Sequence, residues 1–293
     1  MNIYNEVTLV IVCFNSDKLI EKNLNELKKF KIVIIDNSKS KKTFNLVKDF
    51  PNIDYIQANK NLGYGQANNL GVDRATTPFI MILNPDILIN YQAIQILHDK
   101  FHLYENVGIL APSLYDNDKK RRSNGSISRL KKKISGASTL KHKNLAQGDA
   151  CYDFVVGCSL FIRKDFFQTI GGFDSDFFMY FEDNDLCDRV YKNNKYVMEI
   201  PASKMIHMQG SSSDVNIMSN IKLSLIHKIS ECIYLKKNLS TSKLFFNLII
   251  QLIDYFQRFF FNLILLKIKK SFKNILRIIS IFLFFTSLYK LIY

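Results

Sequence analysis

The stretch that decides the fold is residues 7–14, VTLVIVCF, an unbroken run of apolar and largely β-branched residues. Such a run is typical of a strand that is covered on both faces, as in a sheet with helices on either side. Asn15, Ser16 and Asp17 follow, and these residue types commonly begin helices. Helical spacing then continues in four apolar residues: Leu19, Ile20, Leu24 and Leu27. The sequence therefore predicts a buried strand followed by a helix that packs on it.

The same alternation of strand and helix continues up to residue 111. Further strand-like apolar runs occupy residues 31–35, 53–58, 79–83 and 107–111. Strands that alternate with helices predict an α/β fold with a mainly parallel sheet, whose ligands gather at the carboxyl ends of the strands. Four residues come directly after predicted strands or their loops and are expected at that rim: Asn15, Asp36, Gly63 and Asp86.

The next part of the chain interrupts this pattern and then resumes it. Residues 116–150 are polar and basic without clear periodicity, which predicts a mobile loop. Residues 154–162 predict one further strand, 183–194 a helix, and 196–200 and 204–207 two short strands. We therefore expect one domain over residues 1–215 and a separate tail over 216–293.

The bulk composition excludes some classes of protein. A chain of 293 residues with 47% hydrophobic and 13% aromatic residues is not a disordered protein. Its five cysteines show no CxxC spacing, so a disulfide framework or a zinc site is not expected, and a reducing cytosol fits better. The N-terminus shows no signal peptide, so we expect the catalytic part to stay in the cytoplasm.

The net charge of +14 is concentrated in the tail. Residues 221–293 hold 12 Lys and Arg against two acids, Glu231 and Asp254. The basic residues alternate with large aliphatic ones, which argues against nucleic-acid binding. Residues 245–266 are apolar but contain Gln251, Asp254, Gln257 and Arg258, which argues against a spanning helix there. Basic and apolar residues interleaved in helices indicate a tail that lies on the membrane surface, peripheral or monotopic.

Two acidic segments carry the expected chemistry. Residues 177–188, FFMYFEDNDLCD, place acids behind a wall of aromatic residues, and a helix dipole explains only one or two of them. Carboxylates against a buried wall are costly without a task or a partner, and such a position suits a general base. Asp86, in LNPD at residues 83–86, ends an apolar run and suits a metal ion, although it could simply cap the following helix.

These pieces, taken in order, resemble the family 2 glycosyltransferases with the GT-A fold. The matching segments are VTLVIVCFN (7–15), IIDNS (34–38), NKNLGYGQANNLG (59–71), LNPD (83–86), GGFDSDFFMYFEDNDLCDR (171–189) and HMQG (207–210). Within that family the chain looks most like bacterial rhamnosyltransferases of cell-surface polysaccharide assembly, which carry NPD where relatives show DxD. The resemblance spans residues 5–212 and implies a Rossmann-like, nucleotide-diphospho-sugar transferase fold.

The resemblance also assigns roles on the donor side. It implies that Asp86 holds Mg²⁺ or Mn²⁺ against the donor diphosphate, with His207 close to the metal, although a lone histidine is often structural. Asp36 would meet the base or ribose, unless it only caps the next helix. The remaining expected contacts to the nucleotide sugar come from Asn15, Asn61, Gly63, Asn69 and Asn84.

On the acceptor side the resemblance makes Asp183 the general base. It would take a proton from an acceptor hydroxyl whose oxygen attacks the anomeric carbon, with inversion there. Glu182 and Asp185 would orient the site. The acceptor would lie over Gly157 and Cys158, and its diphosphate would meet the basic loop through Arg122 and Arg129.

The implied activity is transfer of L-rhamnose from dTDP-rhamnose to a polyprenyl-diphosphate-linked saccharide. The expected place is the cytoplasmic face of the bacterial inner membrane. Two alternatives stay open at this point. The same fold could use a UDP-hexose, UDP-N-acetylhexosamine or UDP-galactofuranose donor, because thymine and uracil differ by one methyl group. The chain could also be a non-catalytic, nucleotide-sugar-binding membrane subunit.

Overall fold

The computed structural model describes residues 2–122, 124–126, 145–208 and 217–291. These residues form two compact units. The first comprises Met1–Asp174 and Asp183–Ser213, and the second comprises Ser175–Glu182 and Asp214–Tyr293. The short aromatic segment Ser175–Glu182 therefore groups with the C-terminal part of the chain, although it interrupts the first unit in sequence.

A mixed sheet forms the frame of the first unit. Its strands and those of a small second sheet are, in chain order, β1 (Val7–Cys13), β2 (Lys31–Asp36), β3 (Ile53–Gln57), β4 (Phe79–Leu83), β5 (Ile87–Leu88), β6 (Val107–Tyr115), β7 (Arg121–Arg122), β8 (Gly125–Ser126), β9 (Ala150–Cys151), β10 (Phe154–Val155), β11 (Ser159–Arg163) and β12 (Tyr196–His207). Helices lie between them: α1 (Asp17–Leu27), α2 (Lys42–Val47), α3 (Tyr64–Arg74), α4 (Tyr91–Leu103), α5 (Lys164–Thr169) and α6 (Glu182–Lys192).

The predicted first strand and helix are confirmed. Leu9 and Ile11 of β1 face one hydrophobic core, and Val10 faces the other, so the strand is buried on both sides. The helix begins at Asp17 with Ser16 in the capping position and no side-chain cap. Asn15 precedes the capping position and has a left-handed backbone, with φ of 52°.

The strand order is β3-β2-β1-β4-β11-β6-β12-β5. The first four strands are parallel, as are β6 and β12, but β11 is antiparallel to both β4 and β6. The expected mainly parallel sheet is thus a mixed one. The reason is that the chain reaches β11 at the rim where β4 ends, with Ser159 opposite Leu83, and must run back across the sheet.

Three further expectations are corrected. Residues 154–162 form two strands, β10 and β11, with a break at 156–158, and residues 196–207 form one strand with an irregular register between Ile200 and Lys204. The basic stretch 116–150 is not wholly a mobile loop, because β7, β8 and β9 lie within it. Arg121 of β7 is tied to β12 by a 2.9 Å ion pair with the buried Glu199. Residues 127–144 lie outside the described part.

The second unit contains three long helices, which are α7 (Ile217–Asn238), α8 (Thr241–Ile264) and α9 (Ile268–Phe285). The ring of Tyr255 on α8 lies under Lys228 of α7 and Arg277 of α9, each 5.3 Å from its centroid. Large apolar side chains of α8 and α9 are exposed, among them Phe246, Ile250, Phe261, Ile264 and Phe282.

Helix α8 bears on the prediction that the tail contains no helix that spans the membrane. Among the residues that the structure describes, it is the one helix long and apolar enough to cross a bilayer by length and composition, with a mean hydropathy of 1.2 over its best window. Asp254 and Arg258 do not interrupt it, because they form a 2.8 Å ion pair one helical turn apart. Length and composition therefore permit spanning as well as surface binding.

Candidate active site

Several strand ends meet at one edge of the sheet and form the candidate site. Cys13 at the end of β1 lies opposite Asp36 at the end of β2, and Leu83 at the end of β4 lies opposite Ser159 at the start of β11. Because β11 is antiparallel, its preceding residues share the rim with the residues that follow β4. The N–H of Asn84 accordingly donates to the carbonyl oxygen of Cys158 at 2.9 Å.

Asp86 and His207 lie side by side at this rim. The short strand β5 pairs with the end of β12, so that His207 lies opposite Ile87. The N–H of Met208 donates to the backbone oxygen of Asp86 at 2.8 Å. Asp86 Oδ2 and His207 Nε2 are then 3.1 Å apart, within a hydrogen bond. Residues more than a hundred positions apart in the chain thus form one polar pair.

The residues present fit a divalent cation bound together with a diphosphate. Asp86 Oδ1 and Asn84 Oδ1 are buried and have no hydrogen-bond partner among the described residues. Oxygen ligands of this kind suit Mg²⁺ and Mn²⁺. Within the described ranges no group of three or more His, Cys, Asp or Glu side chains could hold a metal by itself. Phosphate oxygens and water would therefore have to complete the coordination shell.

Asp183 is held by backbone donors at the start of α6. Its Oδ2 accepts from the N–H of Gly157 at 3.1 Å, and its Oδ1 accepts from the N–H of Asn184 at 2.9 Å. A Cβ on residue 157 would lie 3.2 Å from the Cβ of Asp183, so glycine allows this close approach. Burial raises the pKa of the Asp183 carboxyl, and the backbone hydrogen bonds oppose that shift. A carboxylate with a raised pKa is a stronger base.

Tyr64 links this carboxylate to the Gly/Asn-rich loop. Gly63 has φ of 79°, a left-handed conformation that favours glycine, and α3 begins with Tyr64 directly after it. The hydroxyl of Tyr64 donates to the carbonyl oxygen of Gly157 at 2.6 Å. Sequence reasoning missed this residue, because nothing in a local pattern shows that it reaches a loop 93 positions away.

Cys158 is buried directly after Gly157, which contacts Asp183, and its carbonyl oxygen accepts from the N–H of Asn84, two residues before Asp86. Burial raises the pKa of its thiol well above the ordinary value, and the negative charges of Asp86 and Asp183 raise it further. Both carboxylates therefore act electrostatically on the same buried group. The thiol stays protonated at neutral pH, so this side chain packs under the site and is not a nucleophile.

The carboxylate of Asp36 is fully buried and held within the rim. Its Oδ1 accepts from the N–H of Ser38 at 2.8 Å, and its Oδ2 accepts from the hydroxyl of Tyr55 at 3.1 Å. Burial and the charge of Asp36 raise the pKa of the Tyr55 hydroxyl. Asp36 does not cap the next helix, because α2 begins only at Lys42.

Asparagine side chains shape the loop that precedes α3. Asn37, which sequence reasoning missed, donates to the oxygen of Gly63 at 3.0 Å and accepts from the N–H of Leu62 at 3.2 Å. The position of Asn37 directly after β2 is the sequence signal that could have identified it as a residue of this rim. Asn61 accepts from the N–H of Gly63 at 2.9 Å. These bonds place backbone and amide groups of the loop at the rim where the donor is expected.

Two other predicted site residues, Asn69 and Asp185, have hydrogen-bond partners within the protein. The amide of Asn69 donates to the oxygen of Phe173 at 2.7 Å and accepts from its N–H at 2.8 Å. Asp185 accepts from Arg189 at 2.8 Å, one turn along α6. Asn15 is exposed near the end of β1, and Glu182 is buried as the first residue of α6. Their predicted roles in binding or orientation stay predictions.

The predicted contacts to the acceptor diphosphate are only partly described. Arg122 lies in β7, is largely exposed, and donates to Asp116 Oδ2 at 3.0 Å. Arg129 lies outside the described residues. The clamp that these two arginines were expected to form therefore stays a prediction.

Comparison with known proteins adds family information to this geometry. Residues 8–169 match the family model described as "Glycosyl transferase family 2", and residues 146–210 match one described as "N-terminal domain of galactosyltransferase". The chain is 25% identical to the low-salt glycan biosynthesis hexosyltransferase Agl10 of Haloferax volcanii, over 70% of this chain and 68% of that protein. It is 26% identical to rhamnosyltransferase WbbL of Escherichia coli, over 69% and 83%.

A third relative and two solved structures extend the comparison. The chain is 25% identical to an N-acetylglucosaminyl-diphospho-decaprenol L-rhamnosyltransferase of Mycobacterium tuberculosis, over 57% of this chain and 62% of that protein. A mannosyltransferase from Pyrobaculum calidifontis, solved with GDP-Man and Mn²⁺, has a TM-score of 0.53 at 15% identity, over 80% of this chain and 64% of that one. Staphylococcus aureus TarS with UDP-GlcNAc has a TM-score of 0.53 at 14% identity, over 82% and 69%. At these identities the two structures establish likeness of fold.

Proposed function

Because the chain belongs to glycosyl transferase family 2, we propose that it transfers L-rhamnose from dTDP-rhamnose to a saccharide carried on a polyprenyl diphosphate. That it is a glycosyltransferase follows from the family match over residues 8–169. The choice of rhamnose is supported by relatives named as rhamnosyltransferases, including the dTDP-rhamnosyl transferase RfbF of Shigella flexneri at 26% identity.

The observation that carries the mechanism is a pair of adjacent backbone contacts, one to the segment that leads to Asp86 and one to Asp183. The N–H of Asn84 donates to the carbonyl oxygen of Cys158 at 2.9 Å, and the N–H of the adjacent Gly157 donates to Asp183 Oδ2 at 3.1 Å. A carboxylate suited to a metal-bound diphosphate therefore lies near a carboxylate suited to proton abstraction. A transferase that displaces a nucleoside diphosphate with a hydroxyl group needs both.

On the acceptor side, we propose that Asp183 is the general base. Its carboxylate takes the proton of the acceptor hydroxyl while that oxygen forms a bond to the anomeric carbon. The bond between this carbon and the diphosphate oxygen breaks, and its electron pair leaves with the nucleoside diphosphate. Because one nucleophile displaces one leaving group, the configuration at the anomeric carbon is inverted. The raised pKa of Asp183 favours the proton transfer.

On the donor side, we propose that Asp86 holds Mg²⁺ or Mn²⁺, with Asn84 and His207 beside it. A cation bound there would supply positive charge to stabilise the departing diphosphate. Asp36 lies in the adjoining part of the rim, together with the loop that Asn37 and Asn61 shape. We assign the nucleoside to this part.

A membrane-bound acceptor is supported by the second unit. Apolar residues of α8 and α9 are exposed, and the first turns of α9 also expose basic residues, including Lys269, Lys270 and Lys273. Such a surface is attracted to anionic lipid and can bury apolar side chains at the interface. We therefore propose that residues 216–293 dock the enzyme on the cytoplasmic face of the bacterial inner membrane.

A hexose donor carried by UDP is the second candidate. It is favoured by the relative named as a hexosyltransferase, which matches 70% of this chain. The two candidates share the fold and the proposed roles of Asp86 and Asp183. They differ in the sugar and in one methyl group of the base.

Thermal unfolding of the full-length protein with nucleotide sugars distinguishes these donors. The ligands are dTDP-rhamnose, UDP-glucose, UDP-N-acetylglucosamine and UDP-galactose, each with and without Mn²⁺. A ligand present at 100 times its Kd stabilises the folded state by about 2.7 kcal/mol. We expect a metal-dependent shift with dTDP-rhamnose alone. A shift with only a UDP-sugar would reject rhamnose, and no shift with any ligand would reject all four of these donors.

A further inference from the structure

Two residues just before the proposed base have unusual backbone conformations. Tyr180 and Phe181 have φ of 72° and 65°, the left-handed region that L-residues with large side chains rarely adopt. They are followed directly by Glu182 and Asp183, the first two residues of α6. A conformation of this kind persists only where surrounding contacts hold it, and it is most frequent at functional sites.

The contacts that hold this segment come from helix α7. The ring of His227 lies against both Tyr180 and Phe181, with centroids 5.1 and 5.4 Å away. The ring of Tyr234 lies 5.6 Å from that of Phe181.

Polar contacts from the same helix extend over the preceding residues. The fully buried hydroxyl of Ser230 donates to the carbonyl oxygen of Met179 at 2.8 Å. Lys237 forms a 2.8 Å ion pair with Asp176 and lies over the ring of Phe177. In these interactions helix α7 therefore contacts five of the six residues from 176 to 181, all but Phe178.

We propose that helix α7 is a positioning element of the active site. Ser230, through Met179, and His227 hold Tyr180 and Phe181 in the left-handed conformation, and this fixes the first turn of α6, which carries Asp183. The inference rests on the proposed function for the role of Asp183 as general base. None of the residues of α7 needs to touch the substrate for this effect.

The physical reason is that the first turn of a helix is less stable than its middle. The first four N–H groups of a helix have no partner within it, so the first turn opens more easily than the middle. Asp183 is the second residue of α6, and its hydrogen bonds to Gly157 and Asn184 depend on that turn. A displacement of about 1 Å at a reacting group can lower a rate by roughly 100-fold.

Ser230→Ala tests the inference in the full-length protein, with Ser224→Ala as the matched control. Ser224 lies on the same helix, and the described part of the chain shows no hydrogen bond from it to residues 175–182. Amide hydrogen exchange is followed by mass spectrometry in peptides that cover residues 177–184 and, as an internal reference, in peptides of β1. We expect exchange in 177–184 to be about tenfold faster in Ser230→Ala and unchanged in Ser224→Ala.

Steady-state turnover supplies the second readout. We expect kcat of Ser230→Ala to fall about tenfold, while KM for the donor and the affinity for dTDP with Mn²⁺ stay within about twofold. His227→Ala, which removes the ring contacts and keeps the hydrogen bond, is a second variant with the same expected direction. Unchanged exchange in both variants would overturn the inference. Faster exchange with an unchanged kcat would overturn the positioning role. Losses of kcat and of dTDP affinity that are equal in size would overturn it as well.

The exchange measurement separates this inference from the proposed function. It requires no sugar transfer, so it reports on α7 even if the donor or the base has been assigned wrongly. If Asp183→Asn keeps full activity, the proposed base is wrong, whereas fast exchange in Ser230→Ala would still show that α7 holds the segment. If Asp183→Asn is inactive and Ser230→Ala exchanges normally, the proposed base stands and the role of α7 is rejected.

Discussion

The hydroxyl of Tyr64 donates a 2.6 Å hydrogen bond to the carbonyl oxygen of Gly157, and the N–H of Gly157 donates in turn to Asp183. The first residue of α3 thereby supports the loop that holds the proposed base. The loop before α3 is also the part of the rim where we place the nucleotide. In the proposed mechanism, the loop assigned to the donor and the proposed base are thus linked by one short chain of hydrogen bonds.

Tyr64→Phe removes this bond and keeps the ring. We expect kcat to fall about five- to tenfold, because a hydrogen bond of this kind contributes about 1 kcal/mol. Tyr104→Phe is the control, since Tyr104 directly follows α4 and its hydroxyl makes an equally short bond to Asp149, directly before β9. Equal kcat values for the two variants in a transfer assay would show that the link between Tyr64 and Gly157 does not serve catalysis.

Asp183→Asn should abolish most of the turnover. General-base catalysis contributes about 10²- to 10⁴-fold, so we expect a loss in that range with donor-induced thermal stabilisation retained. Asp99→Asn is the control, because Asp99 is an exposed carboxylate on α4. Retention of full turnover in Asp183→Asn would exclude this residue as the base.

The raised pKa of Asp183 predicts two pH dependences. Turnover of the wild type should rise with pH through the raised pKa, because the base must be ionised. Stability should change in the opposite direction. The folded state binds the proton more tightly than the unfolded state, so stability is lost as pH rises from the unfolded value of about 3.9 through the folded pKa.

Asp183→Asn isolates this effect on stability. The variant should therefore have the higher Tm at pH 7, and its advantage should disappear near pH 4. Scans of both proteins across this range in the absence of metal measure the difference. A variant that is less stable than the wild type at pH 7 would contradict the burial of a charged carboxylate.

Asp86→Asn should weaken the metal-dependent part of nucleotide binding. We expect the Mn²⁺ concentration that gives half of the thermal shift with the donor to rise at least tenfold, because a carboxylate ligand becomes a neutral amide. His207→Gln should produce a smaller rise if the histidine mainly orients Asp86. Identical Mn²⁺ titrations for wild type and Asp86→Asn would place the metal elsewhere.

Charge on α9 should govern binding to anionic vesicles. Replacing Lys269, Lys270 and Lys273 by Gln removes three exposed charges, each worth about 1 kcal/mol near an anionic surface, so we expect roughly 100-fold weaker binding. The matched control replaces three exposed lysines of the first unit, Lys39, Lys41 and Lys42. Co-sedimentation with phosphatidylglycerol vesicles at low salt measures the change. Equal losses in the two triple variants would reject α9 as the docking surface.

Local patterns were sufficient for the elements and for part of the rim. The apolar run in β1 and the spacing of Leu19, Ile20 and Leu27 in α1 show their periodicity within a few residues, so strand and helix were predictable. Asp36 is the last residue of β2 and Asn84 directly follows β4, and parallel strands end at a common edge. The ends of these strands can be located from local sequence alone, without knowledge of contacts between distant segments.

Pairings between distant segments could not be predicted in this way. The direction of β11 depends on hydrogen bonds with β4 and β6, and a run of residues such as 154–162 has the same periodicity in either direction. The basic stretch 116–150 shows the same limit, because β7 is a strand only through its pairing with β6.

The sequence by itself determined the family, the alternation of strands and helices, and the set of acids available for catalysis, because these depend on residue types and their local spacing. Only the tertiary structure decided which of them meet. The antiparallel β11 brings Gly157 to Asp183, the pairing of β12 with β5 brings His207 to Asp86, and α7 brings Ser230 to Met179. Each contact joins residues at least 26 positions apart, and the free energy that selects it comes from packing and hydrogen bonding of whole elements.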